Sequence, residues 1–189
     1  MDQNQLKDLL YRADAVRSGH FLRASGRHSN LYIQCAHLFE NARSAQEVCA
    51  LIAQHYAKSG VQLVLSAAIG GMLAGYEVSC QLGVRNMYAE RRDQVLTLRR
   101  GFAFAPGTRV LIVEDMVSTG HSVRELIEIV RALGGEVVGI SCIIDASGGK
   151  VAFEYPYYPL YCEKVENYQE ADCPLCKQNK PCLLYTSDA

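Results

Sequence analysis

Glu114 and Asp115 stand side by side at the end of an apolar run, and Ser118, Thr119, Gly120 and Ser122 follow at once, in VLIVEDMVSTGHS (residues 110–122). Two adjacent carboxylates suit a ligand that offers hydroxyl donors. Small residues and hydroxyls at the mouth of a helix suit an anion, because free N–H groups and the positive dipole end favour phosphate there. The acids repel phosphate, so the two halves serve different parts of one ligand. A phosphorylated ribose, with vicinal hydroxyls, fits both. Two plainer readings compete with this one. An acidic pair at a strand end also suits the magnesium site of a nucleoside triphosphate enzyme, but the chain contains no GxxxxGK[ST] loop. An ordinary polar strand-to-helix turn has the same local look.

The surrounding pattern says what must position these groups. Residues 110–113 are four consecutive apolar residues, the mark of a buried strand in a parallel sheet. Val123, Leu126, Ile127, Val130 and Leu133 recur on one face of a helix, which Gly134 and Gly135 stop. Residues 137–144 are again unbroken apolar. Residues 110–144 therefore read as a right-handed βαβ unit, whose ligands gather at the carboxyl ends of its strands. The same design stands upstream: a strand over 62–67, the loop Ala68, Ile69, Gly70 and Gly71, and a helix over 72–82 ended by Gly83. Two glycines allow close backbone approach and suit a second phosphate, although βα turns often contain glycine for no such reason.

Other stretches complete an α/β chain with a central, mostly parallel sheet flanked by helices. Residues 2–17 read as a helix with Leu6, Leu9, Leu10, Ala13 and Val16 as its stripe. Ser25, Gly26 and Arg27 form a turn between short strands at 21–23 and 31–35. Residues 45–59 make a helix closed by Gly60, and 86–89 a short strand. After the charged stretch Glu90, Arg91, Arg92 and Asp93, residues 94–100 and 102–104 look like a β-ribbon.

Length and composition bound the rest. The 189 residues suit one domain with a real core, at 49% hydrophobic and 21% charged residues. A net charge of −1 gives no electrostatic reason to expect nucleic acid or an anionic membrane as partner. No apolar run approaches membrane-spanning length, and MDQNQLKDLL lacks the basic and apolar regions of a signal peptide. Eight cysteines without such a signal suggest reduced thiols in a cytoplasm. Cys35, Cys49, Cys80 and Cys142 lie in apolar or helical patterns and read as small core residues. The tail carries Cys162, then CPLC (Cys173 to Cys176) and Cys182, which invites a zinc reading, yet no second CxxC or His pair completes a ligand set. The final CLLYTSDA has the look of adaptor sequence, which would make Cys182 no natural residue.

The stretch over 110–122 resembles the phosphoribosyl-diphosphate (PRPP) motif of the type I phosphoribosyltransferases, and further segments over residues 15–150 narrow the likeness to orotate phosphoribosyltransferases. The resemblance implies that family's fold, with a small N-terminal hood of about residues 1–40 on a single domain of 1–160, and a tail over 161–189. It implies transfer of a phosphoribosyl group from PRPP to orotate with Mg²⁺, in a homodimer, with no nucleic-acid or membrane partner and no direct side-chain ligation of the metal. Glu114 and Asp115 would hold the ribose hydroxyls. Met116, Val117, Ser118, Thr119, Gly120, His121 and Ser122 would hold the 5′-phosphate, and Ala68 to Gly71 the diphosphate. His121 replaces the usual Gly or Thr. Phe21, Ser25, Gly26 and Ser29 match a segment over the base pocket, where Tyr32, Ile33, Ser118 and Ala146 would meet orotate. Arg91 matches a PRPP-binding and catalytic Arg, and Arg92 a position often held by Lys, on a loop that reaches the partner's site. That loop's further Lys and His are missing. Two more departures stand out: a Lys common in the family is Ala24 here, and the Arg that pairs with the orotate carboxylate is Ala146. A purine-type phosphoribosyltransferase would share the motif but not residues 21–32. A non-catalytic PRPP-binding regulator is the third reading.

Overall fold

The computed structural model describes residues 1–23 and 25–184, so the Ala24 position and the last five residues of the adaptor-like end lie outside the described residues. Helix α1 (Gln3–Arg12) begins where the Asp2 carboxylate accepts the Gln5 N–H at 2.9 Å and the Gln5 side chain accepts the Asp2 N–H. It ends earlier than its apolar stripe suggests. Asp14 takes a left-handed conformation (φ 57°). Val16 therefore opens strand β1 (Val16–Leu22) instead of closing a helix. Strand β2 (His28–Ile33) pairs antiparallel with β1, in a hairpin longer than the sequence pattern marks.

Helix α2 (Ala42–Tyr56) is capped by the Asn41 side chain, which accepts the N–H groups of Arg43 and Ser44. Strand β3 (Leu63–Ala67), helix α3 (Gly70–Leu82) and strand β4 (Arg85–Arg92) follow, with Gly83 in the left-handed conformation that ends α3. The ribbon partner of β4 is β5 (Val95–Leu98), across a tight turn at Asp93 and Gln94. Residues 102–104 form no strand. Then come β6 (Arg109–Val117), α4 (His121–Ala132), β7 (Glu136–Asp145) and β8 (Tyr157–Cys162).

The main sheet runs β5-β4-β3-β6-β7-β8, parallel throughout except for β4 with β5. Strand alternation divides β6 between two cores. Leu111 and Val113 pack with Val48 and Ile52 of α2 and Val78 of α3, while Val110 and Ile112 pack with Val123, Leu126 and Val130 of α4. Both faces of the sheet are thus covered, as a parallel sheet requires. Cys35, Cys49 and Cys142 are core residues as read, but Cys80 is exposed on α3 beside the buried Val78 and Ser79. The hood is a second sheet, β1 with β2, whose outer members come from the far end of the chain: β9 (Asn167–Tyr168) on β2 and β10 (Leu183–Leu184) on β1. Between these two strands lies the short helix α5 (Pro174–Lys177).

Candidate active site

Strand β6 carries Glu114 and Asp115 further into the sheet than a strand ending at Val113 would, because pairing with β7 continues to Val117 and Asp145. Glu114 is 5% exposed, and its Oε1 accepts the Ala67 N–H at 2.8 Å, so the acid is tied to the end of β3. Asp115 is half-buried. Both carboxylates lie against the loop that opens α3. A Cβ built on Gly70 would stand 2.7 Å from Asp115 Oδ2, and one on Gly71 2.9 Å from Glu114 Oε2. Only glycine permits this approach. The acid pair and the loop of Ala68, Ile69, Gly70 and Gly71 therefore form one site at the carboxyl ends of β3 and β6. The Ala68–Ile69 peptide is cis.

Burial, and then the neighbouring Asp115, push the Glu114 carboxyl up to about 8, against the Ala67 N–H that favours its anion. Burial raises Asp115 as well, partly offset by the backbone N–H groups of Met116 and Asp115. Two such carboxyls favour a partner that brings hydroxyl donors or positive charge. The linkage has a definite sign. A carboxyl whose folded value lies above its ordinary 4.5 binds more protons folded than unfolded, so stability falls as pH rises between about 4.5 and about 8. The unliganded protein is expected to lose up to about 5 kcal/mol across that window through this group. Denaturant titrations of wild type and Glu114→Gln at several pH values check it, and parallel profiles for the two proteins would contradict it.

Neither Ile69 nor Gly120 caps its helix with a side chain, and apart from the His121 N–H, which Thr119 Oγ1 accepts at a long 3.4 Å, this opens the starts of α3 and α4 to a ligand. At α4 the turn depends on Gly120, at φ 75°, where a Cβ would also meet the Phe153 ring at 3.0 Å. Glu114 and Met116 to Val123 line a cup of about 70 Å³ over this mouth. Ser118 and Thr119 are exposed and shared with a larger cavity of about 440 Å³ that runs under the hood. Leu31 and Ile33 of β2, Met116 and Ala146 give that cavity its apolar wall, and Arg23 and Lys150 bring two cations to it. Of the residues expected at the base, Ile33, Ser118 and Ala146 thus lie together. Tyr32 turns to the other face of β2, against Phe21 and Arg17.

The loop after β7 is ordered by its own side chains. The Ser147 N–H donates to Asp145 Oδ1 at 2.8 Å, and Ser147 Oγ accepts the N–H groups of Lys150 and Val151. Arg91 stands beside the cup at the α4 mouth of its own chain. Its guanidinium pairs with Glu125 at 2.8 Å, reaches Ser122 Oγ at 3.4 Å and donates to the Gln94 carbonyl. Arg92 is exposed at the tip of the ribbon, 3.6 Å from Asp93. His121 points outward, within 3.4 Å of Glu125.

Two groups escaped the sequence reading. Val165 and Asn167, from the tail, close the far side of the large cavity, and Asn167 Oδ1 accepts from the Arg23 guanidinium at 2.8 Å. The tail CxxC also meets a His pair that its own neighbourhood in sequence lacks: His20 and His28 from the hood hairpin, with Cys173 and Cys176, place their ligand atoms within 4.8 Å of one another. Helical or strand periodicity carries no signal for either. Among the described residues no helix is long and apolar enough to cross a membrane.

Residues 34–175 match the family model described as Phosphoribosyl transferase domain. The chain is 42% identical over 181 residues to the orotate phosphoribosyltransferase of Chlorobium phaeobacteroides, covering 96% of this chain and 94% of that one. It is 41% identical to that of Caldanaerobacter subterraneus subsp. tengcongensis, covering 96% and 95%. Its fold matches the crystal structure of orotate phosphoribosyltransferase from Aeropyrum pernix with a TM-score of 0.68 at 23% identity, over 83% of this chain and 93% of that one.

Proposed function

The chain belongs to the orotate phosphoribosyltransferases, within the type I phosphoribosyltransferase family, and from that premise we infer that it transfers the phosphoribosyl group of PRPP to N1 of orotate, giving orotidine 5′-monophosphate and diphosphate. The observation that carries the reading is the shared wall of Met116, Ser118 and Thr119, which joins a phosphate-sized cup lined by Glu114 to a base-sized cavity.

In this reaction the bond from C1′ to the diphosphate oxygen breaks, and its electron pair leaves with the diphosphate. The N1–C1′ bond forms as N1 gives up its proton. The ribosyl ring carries positive charge in the transition state, so the chain's task is positioning and electrostatics. Glu114 and Asp115 take the ribose hydroxyls as donors and favour the cationic ring. The N–H groups of Val117 to Ser122, with the hydroxyls of Ser118, Thr119 and Ser122, take the 5′-phosphate. Ala68 to Gly71 offer the uncapped start of α3 to the diphosphate, and Arg91 and Arg92 neutralise it. Burial raises both carboxyls, so the pair favours a ligand that brings positive charge near it, which a hard cation carried by the diphosphate and ribose hydroxyls would do without ligation by either side chain. Mg²⁺, when bound, neutralises the departing diphosphate. Lys150 and Arg23 stand in for the missing Arg at Ala146. An assay of PRPP consumption against orotate, adenine, hypoxanthine and uracil tests the function. Turnover with orotate alone is expected. Turnover with a purine alone, or PRPP binding with no turnover, would replace this reading.

A homodimer belongs to the same proposal. Ile69, Leu73 and Tyr76 leave an exposed apolar stripe on α3 beside the diphosphate loop, which favours burial against a second copy. Arg92, at the ribbon tip, is then the cation that crosses. Mixing Arg92→Ala protein, expected to be inactive, with inactive Asp115→Asn protein should restore activity in the hybrids. Inactive hybrids, with subunit exchange verified by mass, would place Arg92 in its own subunit's site.

A further inference from the structure

We propose that His20, His28, Cys173 and Cys176 bind a structural zinc ion that fastens the C-terminal segment to the N-terminal hood. His20 comes from β1 and His28 opens β2, so the hairpin presents two imidazoles side by side. Cys173 precedes α5 and Cys176 lies within it, so one helical turn gives the CxxC pair its bite. Their ligand atoms converge. His20 Nε2 lies 2.7 Å from His28 Nδ1 and 3.5 Å from Cys173 Sγ, and Cys176 Sγ lies 3.2 Å from His28 Nδ1 and 3.7 Å from His20 Nε2. Tetrahedral zinc at ordinary bond lengths holds its ligand atoms about 3.3–3.8 Å apart, so the two nitrogens must separate slightly and no pair, all lying within 4.8 Å, has to close by more than about 1 Å.

The chemistry of the four agrees with the geometry. His20 and His28 are 3% and 5% exposed and Cys173 is fully buried, an unusual concentration of ligating groups away from water. The Lys180 carbonyl, 2.9 Å from His20 Nδ1, accepts that nitrogen's N–H and so leaves the Nε2 lone pair facing the cluster. Two thiolates and two imidazoles, with no carboxylate among them, select zinc over magnesium or calcium. Two thiolates also cancel the charge of a divalent ion, which lets the site be buried.

The ion would act where the cavity needs it. Tyr168 pairs with His28 itself and Asn167 with Ser29, so fixing His28 and α5 fixes the segment that carries Val165 and Asn167 to the cavity wall. This consequence rests on the orotate reading. The metal site does not.

The test uses the full chain, purified without chelator, with metals measured by plasma mass spectrometry. About one zinc per chain is expected, surviving dialysis. Cys173→Ser/Cys176→Ser should weaken zinc binding by roughly a hundredfold or more, while Cys162→Ser and Cys182→Ser keep it. Cobalt in place of zinc should give the intense visible absorption and thiolate charge-transfer bands of a tetrahedral site. Retained PRPP binding shows that the double variant is folded, and the same cobalt bands in His28→Ala would count against the assignment should it not be. Wild type without zinc even after reconstitution, zinc retained in the double variant, or a Cys173–Cys176 disulfide in the purified protein overturns the site. Zinc removal should raise the orotate KM several-fold with the PRPP KM unchanged, and an unchanged orotate KM overturns the link to the cavity wall. Stoichiometric zinc in a protein that consumes no orotate would count against the proposed function and leave the metal site standing.

Discussion

Asp115→Asn is expected to lower kcat/KM for phosphoribosyl transfer by roughly a hundredfold to a thousandfold, the range seen when one preorganised electrostatic group is removed from a transition state. The substitution keeps shape and volume and removes only the charge and part of the acceptor capacity. Asp115 is half-buried and lies against Gly70, so its carboxylate faces the loop that opens α3. Its effect should fall mainly on kcat, because a cationic ribosyl ring exists only in the transition state, while the ribose hydroxyls are present throughout. Burial already raises Asp115 towards the neutral form, so the fold itself should tolerate the amide. Steady-state kinetics with PRPP and orotate, beside PRPP titration calorimetry and a denaturation curve, separate the two effects. Wild-type turnover in Asp115→Asn would remove this residue from the machinery. Gly70→Ala is an independent probe of the same geometry. Its added Cβ would meet the Asp115 carboxylate, so it too should depress turnover without replacing an ionisable group.

How much of this could be read in advance follows from where the information lies. Residues 110–144 form a contiguous βαβ unit, and its apolar runs, acid pair and glycines are local signals. Their family resemblance holds, and the structure brings the acids against the Ala68 to Gly71 loop. Boundaries were less legible. A left-handed Asp14 ends α1 early, and strand pairing with β7 carries β6 on to Val117, neither of which an apolar pattern encodes. Cys80 shows the limit of periodicity on α3, whose residues are apolar on several faces. The tail was opaque for a different reason. Strands β9 and β10 have two residues each and gain their partners only from the hood, at the other end of the chain. The same long range hides His20 and His28 from the CxxC that they face. A ligand set split between a hairpin and a distant turn leaves no spacing to recognise.

Lys150→Ala is expected to raise the orotate KM by roughly tenfold or more while the PRPP KM stays within about twofold. Family resemblance places an Arg against the orotate carboxylate at the end of β7, and this chain has Ala146 there, on the wall of the base cavity. A carboxylate entering that cavity without a cation loses a charge-assisted contact worth on the order of 2 kcal/mol. Two cations line the same cavity. Lys150 is exposed, and its backbone N–H is held by Ser147, so its stem starts from an ordered loop. Arg23 enters from the hood and already donates to Asn167, so Arg23→Ala removes a wall contact as well as a charge. Lys150 is therefore the cleaner test, and the pair of substitutions should cost more than either alone. An ammonium is a point charge, whereas a guanidinium grips a carboxylate with two parallel bonds. Wild type should accordingly use orotate less well than a protein with the Arg in place, and Ala146→Arg should lower the orotate KM, most clearly in the Lys150→Ala background. Orotate kinetics of the four proteins decide it. A low-micromolar orotate KM in wild type that neither Lys150→Ala nor Ala146→Arg moves would show that the carboxylate is held by other groups, backbone N–H donors included.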